Sequence, residues 1–330
     1  MLPSAHMYGL MFELLYELSV GAHVHFLSRV PSPKIIMQAL AEVKPYVIIA
    51  VPLVIEKIYK SKVKPILEKE GIKFLMKVPG LDQIVLNKVK TELINAFGGE
   101  FYEVIIGGAA INKEVEAFFK RMGFPFTVGY GMTECAPIIT YDDWKEEKLY
   151  SCGKAAPNME VRIASADPIN IPGEIQVKGA NVFLGYYKNE TATSEVFTED
   201  GWFRTGDMGV LDADGSLFIK GRTKCMILGP SGQNIYPEEV ETVLNSQPYV
   251  VDSLVIEDDG GLTALIYPDF QQGAKDGMDQ RAFLQYIKDQ LPEWNKELPN
   301  YAKLKKIEVM SEDFERTPKK SIKRYLYQRN

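Results

Sequence analysis

Residues 104–134, VIIGGAAINKEVEAFFKRMGFPFTVGYGMTE, decide the fold that the sequence predicts. The apolar run 104–106 ends in a pair of glycines, and a second extended run, 124–128, ends in GYG. Between them, residues 112–123 have an N-cap asparagine, apolar residues at helical spacing and a stop glycine. This order is typical of a parallel crossover unit. We therefore expect the two glycine turns side by side at the carboxyl ends of adjacent strands, where open α/β sheets bind ligands.

The residues after the second glycine turn carry candidate chemistry. Thr133 offers a hydroxyl, and Glu134 offers a carboxylate oxygen of the kind that Mg²⁺ prefers. Glycines also let the backbone approach a flat or phosphorylated ligand closely. A structural alternative is that both turns are ordinary connections and that Thr133 caps the next helix, because glycine-rich motifs are common.

A third element, residues 201–222, GWFRTGDMGVLDADGSLFIKGR, predicts a hairpin that turns at DADG. With a two-residue loop, Asp207 pairs with Lys220, and Arg222 lies on the same face. An acid and an arginine on one face can bind the two hydroxyls of a ribose, as acids do in other nucleotide folds. The alternative is a surface ion pair that contributes ~0–1 kcal/mol.

In this order and spacing, GGAA, GYGMTE, GWFRTGD and GR followed by a second domain resemble the AMP-forming acyl-CoA synthetase family, most of all its long-chain fatty acid branch. The opening LPSAHMYGL is similar to the family segment in which a histidine, here His6, lies near the acyl carboxylate. The resemblance implies ATP, Mg²⁺ and coenzyme A as ligands, with Glu134 on the metal and Thr133 on the α-phosphate. It implies that the rest of the nucleotide contacts Gly108, Ala109, Ala110, Tyr130, Gly131, Asp207, Ile219 and Arg222.

The resemblance also implies a mobile C-terminal domain with its hinge at Lys224, since one residue can absorb a large dihedral change. In the tail RTPKKSIKRYL, Lys320 maps to the catalytic lysine, which neutralises charge that moves onto the phosphate. Lys319 and Lys323 are alternates, and a different count places Ser321 at this position. The implied function is a two-step ligase of fatty acid and lipid metabolism, which activates a long-chain fatty acid to acyl-AMP and transfers it to coenzyme A.

Family members carry a phosphate loop upstream of the histidine segment, and this sequence shows no equivalent. We therefore expect the chain to be a fragment that lacks the N-terminal part of the large domain and that is inactive alone. Two alternatives to the long-chain ligase stay open. One is adenylation of another carboxylic acid (aryl, amino or short-chain), and the other is a non-catalytic nucleotide-binding remnant.

The predicted fold class is α/β, and 330 residues allow a large domain plus a small one. Residues 1–136 form the layered α/β part of the large domain, incomplete at its N-terminus. Residues 137–222, with short strands and many turns, form a small distorted β-barrel subdomain. Residues 223–330 form a small α+β domain, which the resemblance makes mobile.

The composition argues against several classes of protein. The net charge of −6 argues against a nucleic-acid binder. The three cysteines show no metal or redox spacing, which indicates a cytoplasmic protein and a packing role for Cys135. The apolar opening is too short to predict a transmembrane segment.

Two other features have structural interpretations. The lysines between residues 57 and 77 indicate a solvated helical face, with contact to phosphates or to a membrane as the alternative. Residues 22–27 predict a strand that carries His23 and His25 on one face. We interpret both histidines as structural, because no third metal ligand is apparent.

Overall fold

The computed structural model describes residues 5–27, 33–229, 233–317 and 322–329. The chain divides into two compact units, the first comprising Met1–Thr205 with Gly209–Ile219, and the second comprising Gly206–Met208 with Lys220–Asn330. Within the described ranges, no helix combines the length and the apolar character needed to cross a bilayer.

The first unit begins with an α/β layer around a parallel sheet. Its strands lie in the order β1 (Val47–Ala50), β2 (Glu103–Ile106) and β3 (Phe126–Val128). The surrounding helices are α1 (Met7–Leu10), α2 (Tyr16–Ser19), α3 (Pro33–Val43), α4 (Pro52–Ile58), α5 (Lys64–Leu67), α6 (Glu70–Leu75), α7 (Leu81–Ala96) and α8 (Lys113–Arg121), with π-helical turns at Met11–Leu15 and Tyr59–Val63.

Helix α8 shows how local sequence sets these elements. Asn112 accepts hydrogen bonds from the backbone N–H groups of Glu114 and Val115, which caps the helix as predicted. Phe119 is fully buried on the inner face, and Gly123, with a φ of +63°, follows the last turn. The crossover unit of strand, helix and parallel strand is thereby confirmed.

The rest of the first unit is β-rich, as predicted, but it contains no closed barrel among the described residues. A three-stranded sheet has the order β4 (Tyr130–Gly131), β5 (Ile138–Tyr141) and β6 (Lys154–Ala155). The other elements of this region are β7 (Met159–Ala164), β8 (Gly173–Gly179), α9 (Glu190–Val196), β9 (Phe203–Leu211) and β10 (Leu217–Arg222), with 3₁₀ turns at Thr133–Cys135 and Thr223–Cys225. Four of these strands form a sheet in the order β10-β9-β8-β7, and short parts of β9 and β10 are grouped with the second unit.

The second unit has its own hydrophobic core, which includes the fully buried side chains of Phe283 and Trp294. Strands β11 (Ile227–Leu228) and β12 (Asn234–Ile235) pair with each other. A three-stranded sheet has the order β13 (Val250–Asp258), β14 (Gly261–Pro268) and β15 (Leu304–Val309). The helices are α10 (Pro237–Asn245), α11 (Phe270–Lys275), α12 (Gln280–Asp289) and α13 (Leu291–Glu297), with 3₁₀ turns at Asn300–Ala302 and Arg324–Leu326.

Two local predictions are wrong. Residues 22–27 form no strand, although the rings of His23 and His25 stack at 4.3 Å. The β9–β10 loop is one residue longer than predicted, because Asp212 N–H donates to the Ser216 carbonyl and Gly215 adopts a φ of +83°. The DADG sequence therefore makes a turn with a glycine bulge instead of a two-residue turn.

Candidate active site

The two glycine turns lie next to each other at one edge of the parallel sheet. Ile106 at the end of β2 is in register with Val128 at the end of β3. Gly129 N–H donates to the Ile106 carbonyl at 2.9 Å, so the second turn starts beside the first. This is the arrangement that the sequence predicted, and it is the edge where open α/β sheets bind ligands.

The first turn is open on one side and packed on the other. Gly108, with a φ of +86°, and the following Ala109 and Ala110 are exposed. Gly107 is buried, and a Cβ atom there would lie 3.1 Å from the ring of Tyr8. The Tyr8 hydroxyl donates to the Ile105 carbonyl at 3.2 Å. The backbone of this turn is therefore accessible to a ligand and fixed from behind by an aromatic ring.

Tyr8 belongs to the histidine segment of the sequence. His6 caps α1 by accepting the Tyr8 backbone N–H on Nδ1 at 3.2 Å, and its ring is half-buried. Burial raises the pKa of the Tyr8 hydroxyl, so this group stays a neutral donor. The structure thus brings the His6 segment against the first glycine turn.

The second turn requires glycine at position 131, because another part of the backbone lies very close to it. A Cβ atom on Gly131 would lie 2.1 Å from the Pro137 carbonyl oxygen, which leaves no room for any side chain. Met132 N–H donates to the same carbonyl at 2.8 Å. The ring of Tyr130 is buried in the core of the β-rich region, so only the backbone of this residue lies at the turn. Gly131 itself is exposed.

Thr133 and Glu134 follow in a 3₁₀ turn that ends at the buried Cys135. Thr133 is exposed, and Glu134 is half-buried. The Tyr186 hydroxyl donates to Glu134 Oε1 at 3.1 Å, and Phe183 N–H donates to the Glu134 carbonyl at 2.8 Å. The sequence interpretation assigned no chemistry to Tyr186, and no local signal links two residues so far apart in the chain.

The donor set is suited to magnesium on a nucleotide. Among the described residues, no group of three or more His, Cys, Asp or Glu side chains could form a metal cage. Mg²⁺ commonly uses one or two carboxylates, several waters and the phosphates of its substrate. An oriented, partly exposed carboxylate such as Glu134 fits this role. The neighbouring Cys135 does not take part, because burial raises the pKa of its thiol to about 12. The packing role predicted for Cys135 agrees with its complete burial.

Asp207 and Arg222 lie close together as an ion pair, which the sequence analysis gave as the alternative to a ribose site. Arg222 Nε lies 2.9 Å from Asp207 Oδ1, and the side chains are 65 % and 8 % exposed, respectively. Lys220, the residue predicted to face Asp207, instead lies 3.3 Å from Glu239. Ile219 is exposed on the same strand. A buried acid that contacts an exposed guanidinium can accept hydrogen bonds from sugar hydroxyls.

The remaining predicted residues lie at the start and the end of the second unit. Lys224 is exposed in the 3₁₀ turn after β10. Lys320, with Lys319 and Ser321, lies outside the described residues. The alternate, Lys323, contacts Glu315 at 3.1 Å, and this contact raises the pKa of its ammonium group.

The described residues on either side of 318–321 make ion pairs within the second unit. Arg316 and Ile322 pair as an isolated β-bridge, and Arg316 binds Asp252 at 2.6 Å. On the other side, Arg324 is ion-paired with the buried Glu241. These contacts hold Arg316 and Arg324 to the second unit.

Comparison with known proteins agrees with this geometry. The family model for AMP-binding enzymes matches residues 1–187, and the model for the AMP-binding enzyme C-terminal domain matches residues 226–330. Long-chain-fatty-acid–CoA ligase FadD15 of Mycobacterium bovis is 32 % identical over 249 residues, which cover 68 % of this chain and 40 % of that protein. 2-Succinylbenzoate–CoA ligase of Bacillus cytotoxicus is 37 % identical over 182 residues, which cover 52 % of this chain and 37 % of that protein.

A solved structure shows the same fold. O-succinylbenzoate coenzyme A synthetase from Bacillus subtilis, in complex with ATP and magnesium ion, matches with a TM-score of 0.74 at 25 % identity. The match covers 98 % of this chain and 59 % of that one. The chain spans 40 % of the length of FadD15. The glycine turns, the α/β fold and the family match over residues 1–187 together show that this chain belongs to the AMP-binding enzyme family.

Proposed function

We propose that this chain takes part in ATP-dependent activation of a long-chain fatty acid to acyl-AMP and in its transfer to coenzyme A. The observation that carries the proposal is the placement of two glycine turns at adjacent strand ends, with Glu134 in the turn that follows. The 32 % identity to a long-chain-fatty-acid–CoA ligase supports the choice of acid.

The proposed chemistry has two steps. In the first, a carboxylate oxygen of the fatty acid forms a bond to the α-phosphorus of ATP, the bond to the bridging oxygen breaks, and pyrophosphate leaves. In the second, the coenzyme A thiolate attacks the acyl carbon, and the bond to the AMP oxygen breaks. Positioning and charge neutralisation are the main contributions of a protein to phosphoryl transfer.

Each predicted residue has a role in this proposal. Thr133 binds the α-phosphate, Asp207 and Arg222 bind the ribose, and His6 lies near the acyl carboxylate. Lys320 neutralises charge on the phosphate. Glu134 holds Mg²⁺, which when bound stabilises negative charge on the phosphate oxygens. The adenine and adjoining parts of the nucleotide contact Gly108, Ala109, Ala110, Tyr130, Gly131 and Ile219.

The domain organisation is also a proposal. We propose domains at residues 1–136, 137–222 and 223–330, a hinge at Lys224, and a cytoplasmic location. The family model of the C-terminal domain starts at residue 226, and the second compact unit takes up the chain from Lys220, which supports a border near the predicted one. The cysteines are free thiols, as is usual in a reducing compartment.

A second candidate is adenylation of an aryl acid, because a 2-succinylbenzoate–CoA ligase is 37 % identical over 182 residues. Pyrophosphate exchange into ATP separates the candidates, when the protein expressed from its complete reading frame is assayed with long-chain, short-chain, aryl and amino acids. We expect exchange with the long-chain acids. Exchange with aryl acids alone would establish the second candidate, and nucleotide binding without any exchange would establish a non-catalytic nucleotide-binding protein.

A further inference from the structure

The segment 56–77, here called the basic segment, runs from α4 to the turn after α6. It contains seven lysines and three glutamates, although the whole chain has a net charge of −6. Lys73 forms an ion pair with Glu70 at 2.9 Å. The other six lysines form no ion pair with any residue that the structure describes. The lysines, all exposed, are Lys57, Lys60, Lys62, Lys64, Lys69, Lys73 and Lys77.

Large apolar side chains are exposed at the end of the basic segment. Phe74 on α6 is 68 % exposed, and Ile84 on α7 is 65 % exposed. Lys77 N–H donates to the Phe74 carbonyl, and Leu81 N–H donates to the Val78 carbonyl, so a tight turn joins the two helices. Leu81 and Ile84 share the outer face of α7. The unpaired Lys69 and Lys77 therefore lie directly before and after α6, next to the exposed apolar groups of α6 and of the first turn of α7.

An apolar recess opens beside the same lysines. Tyr59, Met76 and Phe118 contribute to a cavity of about 370 Å³. Two lysines and one acid also line it, namely Lys73, Lys77 and Glu114, and Glu114 accepts a hydrogen bond from the Tyr59 hydroxyl. An exposed apolar surface next to cations is suited to molecules that carry both an acyl chain and an anionic group. By contrast, α2 exposes Leu18, but residues 11–27 contain no lysine or arginine.

We infer that the basic segment, with Phe74, Leu81 and Ile84, docks on a membrane surface that contains anionic phospholipids. The lysines attract the headgroups, and the ring and aliphatic side chains enter the boundary between headgroups and acyl chains. A nucleic acid would use the lysines but would leave Ile84 and Leu81 in water. The inference is independent of the proposed reaction, because none of these residues belongs to the candidate active site.

Co-sedimentation of the full chain with vesicles tests the charge contribution. We expect binding to phosphatidylcholine vesicles that contain about 30 % phosphatidylserine, little binding to pure phosphatidylcholine, and release in about 0.5 M NaCl. Replacing Lys60, Lys69 and Lys77 by Gln should raise the Kd about 100-fold, since each lysine near such a surface contributes about fivefold. Replacing the exposed Lys188, Lys275 and Lys288 by Gln removes the same charge elsewhere and should leave the Kd within about threefold of the parent value.

A matched pair of isoleucines tests the apolar contribution. Ile84→Ser should weaken vesicle binding about fivefold to tenfold, because an exposed apolar side chain no longer enters the membrane. Ile171→Ser, at a residue 54 % exposed in the β-rich region, should leave it unchanged. Circular dichroism checks that all variants remain folded. The inference would be overturned if both lysine variants lost the same vesicle affinity, or if both isoleucine variants did. Binding of the chain to duplex DNA but not to vesicles would also overturn it.

Discussion

Two buried glutamates, one in each unit, are held in different ways. Glu147 and Glu241 each accept a backbone N–H of a strand at 2.7 Å, from Val128 and Val255. Glu241 is also ion-paired with Arg324. Glu147 has no such cation, and its Oε2 atom has no hydrogen-bond partner in the described structure. Burial, with the charge of neighbouring acids, raises the pKa of Glu147 to about 8, although Lys120 opposes this shift.

Burial also raises the pKa of Glu241, to about 7, but Arg324 opposes this shift, so the pKa of the paired carboxyl stays below that of Glu147. A buried carboxylate with a cation serves as an anchor, whereas one without a cation favours its protonated form. The candidate active site repeats the contrast. The buried Asp207 contacts Arg222, while the half-buried Glu134 accepts a hydrogen bond from the hydroxyl of Tyr186. Four substitutions test what each of these acids contributes in its own surroundings.

The largest effect is expected at the anchored pair of the second unit. Arg324→Ala leaves the charge of Glu241 buried without its cation, so we expect the free energy of unfolding to fall by about 3–5 kcal/mol. Urea denaturation measures this change. The control is Arg329→Ala, which removes an arginine whose side chain is 41 % exposed and which binds Glu308 and Asp258. A partly exposed pair contributes about 0–1 kcal/mol, and equal losses in the two variants would contradict the anchoring role.

Glu147→Gln should remove a pH dependence of the first unit. Because the folded-state pKa is raised from 4.5 to about 8, the folded protein keeps a proton that the unfolded chain has lost. The stability contribution is present below about pH 4.5 and is lost as the pH rises towards 8. Burial raises the pKa values of Glu116 and Glu241 to about 7, so both proteins lose stability between pH 5 and 8. We expect the variant to lose on the order of 3 kcal/mol less than the parent.

Thermal unfolding across this pH range measures the difference. The control, Glu146→Gln, changes the exposed neighbouring glutamate and should keep the parental slope. A Glu147→Gln profile parallel to that of the parent would mean that Glu147 is ionised in the folded state.

Asp207→Ala should weaken nucleotide binding by about 1.5–3 kcal/mol, the range for hydrogen bonds to a charged group. Calorimetric titration with ATP measures this loss on the protein expressed from its complete reading frame. Asp214→Ala is the control, since Asp214 is exposed in the β9–β10 loop and pairs with Lys148. Unchanged ATP affinity in the Asp207 variant would exclude the ribose contact.

The smallest effect is expected at Tyr186. Tyr186→Phe removes the hydroxyl that orients Glu134, so we expect metal affinity in the presence of ATP to fall about twofold to tenfold, as for one hydrogen bond. Electron paramagnetic resonance with Mn²⁺ in place of Mg²⁺ measures binding directly. Tyr187→Phe is the control, because Tyr187 is 87 % exposed and its ring contacts the ammonium group of Lys188 instead of Glu134. Equal Mn²⁺ affinities in the two variants would remove Tyr186 from the metal site.

The sequence predicted the parallel layer well, because its signals are local. Apolar runs that end in glycine and the capped helix at Asn112 each depend on neighbouring residues. The prediction of a strand at residues 22–27 was wrong, since an alternating pattern forms a strand only where a partner strand is available. The predicted length of the β9–β10 loop was wrong, because the sequence DADG is compatible with more than one type of turn. The contact between Tyr186 and Glu134 depends on tertiary folding, which a motif search does not detect.

The crowding at Gly131 has a consequence for mutagenesis of this family motif. A methyl group there would overlap the Pro137 carbonyl oxygen, so even alanine must push the two backbone segments apart. An inactive Gly131 variant would therefore report a displaced Thr133–Glu134 turn rather than a lost ligand contact. Gly108, where an added Cβ meets only Val51 at 4.0 Å, has open space around it. Although its φ of +86° strains any substitution, Gly108 is the better of the two glycines for probing how closely a nucleotide approaches the backbone.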